Sequence, residues 1–119
     1  MTVTIWHNPS CGTSRNVLEA LRDAGLTPVV VDYLKTGWTA DGLRTLFAAA
    51  GITARAALRV KGTDAEDRGL TDPGVTEAAL IAAMVAHPVL VNRPFVQTPL
   101  GTALCRPSET VQALIARKD

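Results

Sequence analysis

The strongest constraint on this chain lies near its front, where a short apolar run meets a cysteine-bearing loop and then a helical pattern. Val3, Ile5 and Trp6 suggest a strand, Pro9 and Gly12 break it, and Val17, Leu18, Leu21 and Ala24 recur at helical spacing. The loop Trp6-His7-Asn8-Pro9-Ser10-Cys11-Gly12-Thr13-Ser14-Arg15 therefore carries Cys11 at a helix N-terminus. Unpaired backbone N–H groups and the positive end of the helix dipole favour an anion there, and Arg15 is the nearest cation, one turn on. A free thiol has a pKa of about 8.5, and such surroundings lower it by one to several units, which makes a nucleophile. The alternative is a small buried apolar residue, the commoner fate of a lone cysteine.

The first helix, roughly Ser14 to Ala24, is stopped by Gly25, and Val29-Val30-Val31-Asp32-Tyr33 reads as a second strand. Strand, helix and strand imply a parallel pair with a right-handed crossover, so the Cys11 loop falls at the carboxyl edge of the sheet, where ligands of α/β folds gather. Thr39 caps a helix over Ala40–Ala50, which Gly51 ends, although Gly42 is a poor helix former. Thr53 to Val60 is a shorter helical pattern with Arg55 and Arg59 on one face, and solvated arginines are the default there. Lys61-Gly62-Thr63-Asp64 is a turn, followed by a polar loop with one short helix around Ala65 to Arg68. Thr76 caps Glu77 to Ala86, and His87-Pro88 stops that helix, with His87 read as a helix-end residue.

Val89-Leu90-Val91 and Phe95-Val96-Gln97 are strand candidates. Pro99-Leu100-Gly101-Thr102 turns the chain into Ala103-Leu104-Cys105, which predicts a hairpin. Pro107, then Val111, Leu114 and Ile115 at helical spacing, give a closing helix that ends near Arg117-Lys118. The order β-α-β, helical insertion at about 39–87, β-β-α is that of the thioredoxin fold: one α/β domain over 1–119 with a mixed sheet flanked by helices.

Composition excludes several function classes. Among 119 residues, twelve Lys+Arg against eleven Asp+Glu leave a formal net charge of +1, with no basic run interleaved with aromatics to track nucleic acid. The longest apolar stretch, Ala78 to Ala86, is far short of the roughly 20 residues of a membrane helix. Met1-Thr2-Val3-Thr4 lacks the basic start and apolar centre of a signal peptide, so a cytoplasmic location is expected. Cys11 and Cys105 could pair, but a reducing compartment keeps both as thiols. His7, His87, Cys11 and Cys105 lack metal-ligand spacing, and there is no P-loop or dinucleotide fingerprint, so no metal or bound cofactor is implied.

Four stretches resemble the glutaredoxin-linked arsenate reductases: His7-Asn8-Pro9-Ser10-Cys11-Gly12-Thr13-Ser14-Arg15-Asn16, Arg55-Ala56-Ala57-Leu58-Arg59, Val91-Asn92-Arg93-Pro94, and Thr98-Pro99-Leu100-Gly101-Thr102-Ala103-Leu104-Cys105-Arg106-Pro107-Ser108-Glu109. The resemblance implies that Cys11 is the nucleophile, with His7 and Ser14 as hydrogen-bond partners of the sulfur. It implies that Arg59, Arg93 and Arg106 bind the oxyanion and that Arg15 serves the loop or a glutathione contact. Guanidinium forks suit such oxyanions and would also lower the thiol pKa. The resemblance further implies a cis Arg93–Pro94 bond, against a base rate of about 5% for X–Pro bonds.

The implied partners are arsenate, glutathione as co-substrate, and glutaredoxin, and a monomer is expected. Ser14 stands where a Cys-x-x-Cys pair would place its second thiol, which favours an external resolving thiol and leaves Cys105 as packing. Two other readings stay open: a glutathione-dependent thiol-disulfide oxidoreductase without arsenate activity, and an RNA polymerase-binding regulator of the same fold, which the missing second cysteine disfavours. A phosphatase-type arsenate reductase would need arginine at Val17 for its phosphate loop.

Overall fold

The computed structural model describes residues 2–115. The chain divides into two compact units, Met1–Thr36 with Arg93–Asp119, and Gly37–Asn92. The first unit holds a four-stranded mixed sheet in the order β2-β1-β3-β4, with β1 Thr4–His7, β2 Val29–Asp32, β3 Phe95–Thr98 and β4 Gly101–Leu104. Helix α1, Gly12–Asp23, crosses from β1 to its parallel partner β2, and β3 runs antiparallel to both β1 and β4. This is the thioredoxin-like α/β arrangement.

Alternation along β1 sends Val3 and Ile5 to one face, where Val96 is the direct partner of Ile5 across the β1–β3 ladder. There they meet Val17, Leu18 and Leu21 of α1 and Val111 and Leu114 of the closing segment, and these side chains with Cys105 form one buried cluster. Thr98 on the same face donates its hydroxyl to the Leu114 carbonyl at 2.9 Å, which ties the closing segment to β3. Strand β2 is an edge, and its Val29 and Val30 are exposed.

In the second unit, α3 Ala40–Ala50 and α5 Glu77–Ala86 have the predicted bounds. Thr39 and Thr76 accept hydrogen bonds from the N–H groups of Gly42 and Ala79, and Gly51 closes α3 in the left-handed region at φ 70°. Gly42 has its own reason: a Cβ there would sit 2.8 Å from Thr39 Oγ1, against the capping oxygen.

The structure corrects five local expectations. Tyr33 leaves β2 and begins a helical turn, α2 Tyr33–Thr36. The pattern from Thr53 to Val60 shortens to α4, Ala54–Ala57, because Leu58 turns extended and bridges to Val91. Ala65 to Arg68 forms a turn closed by bonds from Leu70 N–H to Ala65 C=O and from Gly69 N–H to Glu66 C=O. This is the pattern of a helix end without a helix behind it, and Gly69 at φ 73° allows it.

Val89-Leu90-Val91 is not a strand: Pro88–Leu90 is a 3-10 turn, since Pro88 fixes φ and Leu90 and Val91 bond back to His87 and Pro88. The closing helix is likewise 3-10, Ser108–Leu114. The expected end near Arg117-Lys118 lies outside the described residues. Among the described residues no helix is long and apolar enough to cross a membrane.

Candidate active site

Strand register explains how distant residues converge. In the β1–β2 ladder His7 pairs with Asp32, the last pair before Tyr33 leaves the strand. Trp6 pairs with Phe95 across β1–β3, so two further steps set Asn8 level with Arg93. Phe95 pairs with Leu104, and the same extension sets Arg93 level with Arg106. Three strand ends therefore present His7-Asn8, Arg93 and Arg106 at one edge, below the loop that carries Cys11.

The loop is a tight turn. Cys11 N–H donates to Asn8 C=O at 3.0 Å and Ser10 N–H to Asn8 Oδ1 at 2.9 Å, with Pro9 in the second position, where its fixed φ suits such a turn. Cys11 is extended, φ −97° and ψ 123°, and its carbonyl accepts the first helical bond from Arg15 N–H at 3.0 Å, so it is the N-cap of α1. Arg15 also donates from Nη1 to Pro9 C=O at 2.9 Å and clamps the turn from its open side.

Cys11 is 8% exposed. Burial alone would raise its pKa, but three groups outweigh burial: the Ser14 backbone N–H at the third helical position, the Arg93 guanidinium and the Arg106 guanidinium. Together they bring the thiol from 9.0 down to about 7. Ser14 N–H does so without closing a capping hydrogen bond. Arg106 Nη1 lies 3.6 Å from Cys11 Sγ and donates to Arg93 C=O at 3.0 Å, which fixes the guanidinium between sulfur and strand. Arg93–Pro94 is cis, as the family resemblance implies, and Arg106–Pro107 is cis as well.

His7 Nδ1 and Ser14 Oγ are 2.6 Å apart, and Asn8 N–H donates to the same oxygen at 3.0 Å. With that donor in place, the serine hydroxyl can give its proton to Nδ1, which keeps the imidazole proton on Nε2. Burial holds the His7 pKa below its usual value, and Arg22 and Arg15 add to this against the opposing charge of Asp32, so the ring is neutral at pH 7. His7, Pro9, Arg15, Leu18, Glu19 and Arg22 line a cavity of about 420 Å³ along the exposed side of α1. The expected His7 hydrogen bond to the sulfur is instead one to Ser14 Oγ, and it is the backbone N–H of that serine that faces Cys11.

Arg59 belongs to the second unit, half-buried just after α4, where its N–H donates to Leu90 C=O at 2.7 Å and its carbonyl accepts from Thr63 Oγ1 at 2.8 Å. Because α4 ends at Ala57, Arg55 and Arg59 do not share the expected helix face, and Arg55 is a clamp: Nη2 donates to Val75 C=O at 2.8 Å. Cys105 is fully buried, and desolvation alone pushes its thiol up to about 12. Both cysteines are free thiols. No cluster of three or more His, Cys, Asp or Glu able to hold a metal occurs among the described residues.

Asn8, whose carbonyl and Oδ1 hold the Cys11 turn, is a residue that the loop motif alone does not single out.

The ArsC family model matches residues 6–114. An arsenate reductase of Rhizobium meliloti (strain 1021) is 56% identical over 111 residues, 93% of this chain and 79% of the relative. The arsenate reductase of Escherichia coli (strain K12) is 50% identical over 113 residues, 95% of this chain and 80% of the relative. Among solved structures, arsenate reductase from Vibrio cholerae aligns with a TM-score of 0.90 at 36% identity, covering 96% of this chain and 98% of that one. A match that runs from Trp6 to Leu114, with relatives half-identical over nearly the same span, leaves one conclusion: the chain belongs to the ArsC family.

Proposed function

We propose that this protein is an arsenate reductase that draws its electrons from glutathione and glutaredoxin. The observation that carries the reading is a thiol with a pKa of about 7 held 3.6 Å from the Arg106 guanidinium, with Arg93 as a second cation on the sulfur. A thiolate next to two guanidinium groups suits attack on a tetrahedral oxyanion, and the relatives' names supply the oxyanion.

In this scheme Cys11 thiolate attacks arsenic(V), an As–S bond forms, and one arsenic oxygen leaves as water after protonation. Glutathione thiolate then attacks the Cys11 sulfur. An S–S bond forms, the As–S bond breaks with its electron pair staying on arsenic, and arsenite departs. Glutaredoxin takes the glutathionyl group by attack on the glutathione sulfur and returns Cys11 as thiolate. Arg93 and Arg106 hold the oxyanion, and the same role is extended to Arg59 by family resemblance. Ser14 and His7 hold the helix start that stabilises the sulfur. Arg15 keeps the turn closed, no resident cofactor is needed, and the expected acting form is a cytoplasmic monomer.

The test is arsenate-dependent NADPH consumption coupled through glutathione reductase and glutaredoxin. Wild type should respond to arsenate and Cys11→Ser should not. Arg93→Ala and Arg106→Ala should each lose a charge-assisted contact worth about 1.5–3 kcal/mol, roughly 10- to 150-fold in kcat/KM. Disulfide reduction with no arsenate dependence in wild type would replace this reading with that of a thiol-disulfide oxidoreductase.

A further inference from the structure

Asn8 bonds to three parts of the cysteine loop. Its carbonyl accepts from Cys11 N–H at 3.0 Å, its N–H donates to Ser14 Oγ at 3.0 Å, and its side-chain Oδ1 accepts from Ser10 N–H at 2.9 Å. The two backbone bonds matter as a pair. Ser14 N–H is the foremost of the groups that favour the Cys11 thiolate, so the backbone of one residue grips both the residue that carries the sulfur and the serine that faces it.

The side chain completes the grip. Pro9 fixes its own φ and restricts Asn8 to extended backbone, but it leaves the peptide that follows free to rotate. The bond from Ser10 N–H to Asn8 Oδ1 spans that peptide and stops the rotation, in the manner of asparagine bonding to the backbone two residues on. At 5% exposure, an asparagine that only filled space would bury a polar amide at a cost that leucine, which branches at the same atom, avoids.

We propose that Asn8 is the positioning residue of the nucleophile: its side-chain oxygen locks the turn through which its own backbone holds Cys11 and Ser14 together. It touches no substrate in this account. The inference rests on the reading of Cys11 as the nucleophile, but it concerns the geometry that prepares the sulfur, whatever oxyanion or disulfide the sulfur then meets. Without the side-chain oxygen the turn loosens, and the sulfur drifts from Ser14 N–H and from the Arg106 guanidinium, which Arg93 C=O holds in place. The thiol then moves back toward the ordinary range.

The experiment measures the pH dependence of Cys11 alkylation by iodoacetamide, with no arsenate present, alongside urea unfolding. The variants are Asn8→Ala, Asn8→Leu and Asn8→Ser, with Thr76→Ala as a protein weakened at a helix cap in the other unit. Alanine and leucine both lack the acceptor, and leucine keeps the bulk. Serine loses bulk but keeps an oxygen that can take the same N–H, more weakly. Asn8→Ala and Asn8→Leu should each shift the alkylation midpoint upward by about one unit and slow alkylation at pH 7 about fivefold.

Asn8→Ser should lie between these and wild type, nearer wild type, and Thr76→Ala should keep the wild-type midpoint. Should alanine prevent folding, leucine against serine carries the same comparison. An unmoved midpoint in Asn8→Leu, or one in Asn8→Ser as high as in Asn8→Leu, would make Asn8 a core filler and overturn the proposal. An equal rise in Thr76→Ala would overturn it too, because the midpoint would then follow stability alone. Failure of wild type to respond to arsenate leaves these midpoints untouched, so the two readings fail separately.

Discussion

Two cysteines in one unit show how much a few neighbours decide. Cys11 and Cys105 are both buried, at 8% and 0% exposure, yet the first titrates at about 7 and the second at about 12. Cys105 packs among Val3, Ile5, Val96 and Val111, where nothing compensates the thiolate for lost water. Burial also raises the Cys11 pKa, but this thiol sits at a helix start beside two guanidinium groups that outweigh it. Half of Cys11 is thus ionised at neutral pH and effectively none of Cys105. Under iodoacetamide at pH 7 the native protein should incorporate one equivalent rapidly, at Cys11, and the second only after unfolding in urea. Mass spectrometry of the digested protein checks this, and prompt labelling of Cys105 in the native state would contradict its burial.

Elements that depend on a residue's own local chemistry were legible in the sequence. Thr39 with Gly51 and Thr76 with His87-Pro88 mark α3 and α5 correctly, because a capping hydroxyl and a left-handed glycine or a proline act within a few residues. Thr76→Ala should therefore cost about 1 kcal/mol in urea unfolding, and Thr76→Ser should recover most of it, with no change in Cys11 alkylation. Equal stability of all three proteins would remove the cap from the account.

The misread elements are those whose period or partners decide them. Spacing of three, as in Val111 and Leu114, fits a 3-10 turn as well as an α-helix. Val89-Leu90-Val91 has the composition of a strand, but among the described residues only the isolated bridge Leu58↔Val91 pairs it. The exposed valines of β2 follow from its place at the sheet edge, which is a fact of topology that no local pattern carries.

At the scale of the whole molecule, the cysteine loop and the arginine motifs are written in the sequence, whereas their meeting is a matter of register. Arg93 and Arg106 converge because Phe95 opposes Leu104, and Asn8 joins them because Trp6 opposes Phe95. Folding therefore stabilises the Cys11 thiolate, and that stabilisation must appear in the pH dependence of global stability. The folded thiol titrates at about 7 and an unfolded one at about 8.5 to 9, so between these values the unfolded chain binds more protons. Stability must then rise with pH across this window: the contribution is complete above pH 9 and is lost as pH falls through 7. At 1.36 kcal/mol per unit, it amounts to about 2–3 kcal/mol at most. His7, whose pKa is also lowered in the folded state, acts in the same direction, but only below the ordinary histidine value of 6.5. Cys105 acts in the opposite direction above pH 8.5, since folding raises its pKa. Comparison of wild type with Cys11→Ser cancels both, because the variant retains them. In urea unfolding the stability difference, wild type minus variant, should grow by about 2 kcal/mol from pH 6.5 to pH 9. A constant difference would mean that the fold does not favour the thiolate, and the nucleophile would lose its physical basis along with the arginines assigned to it.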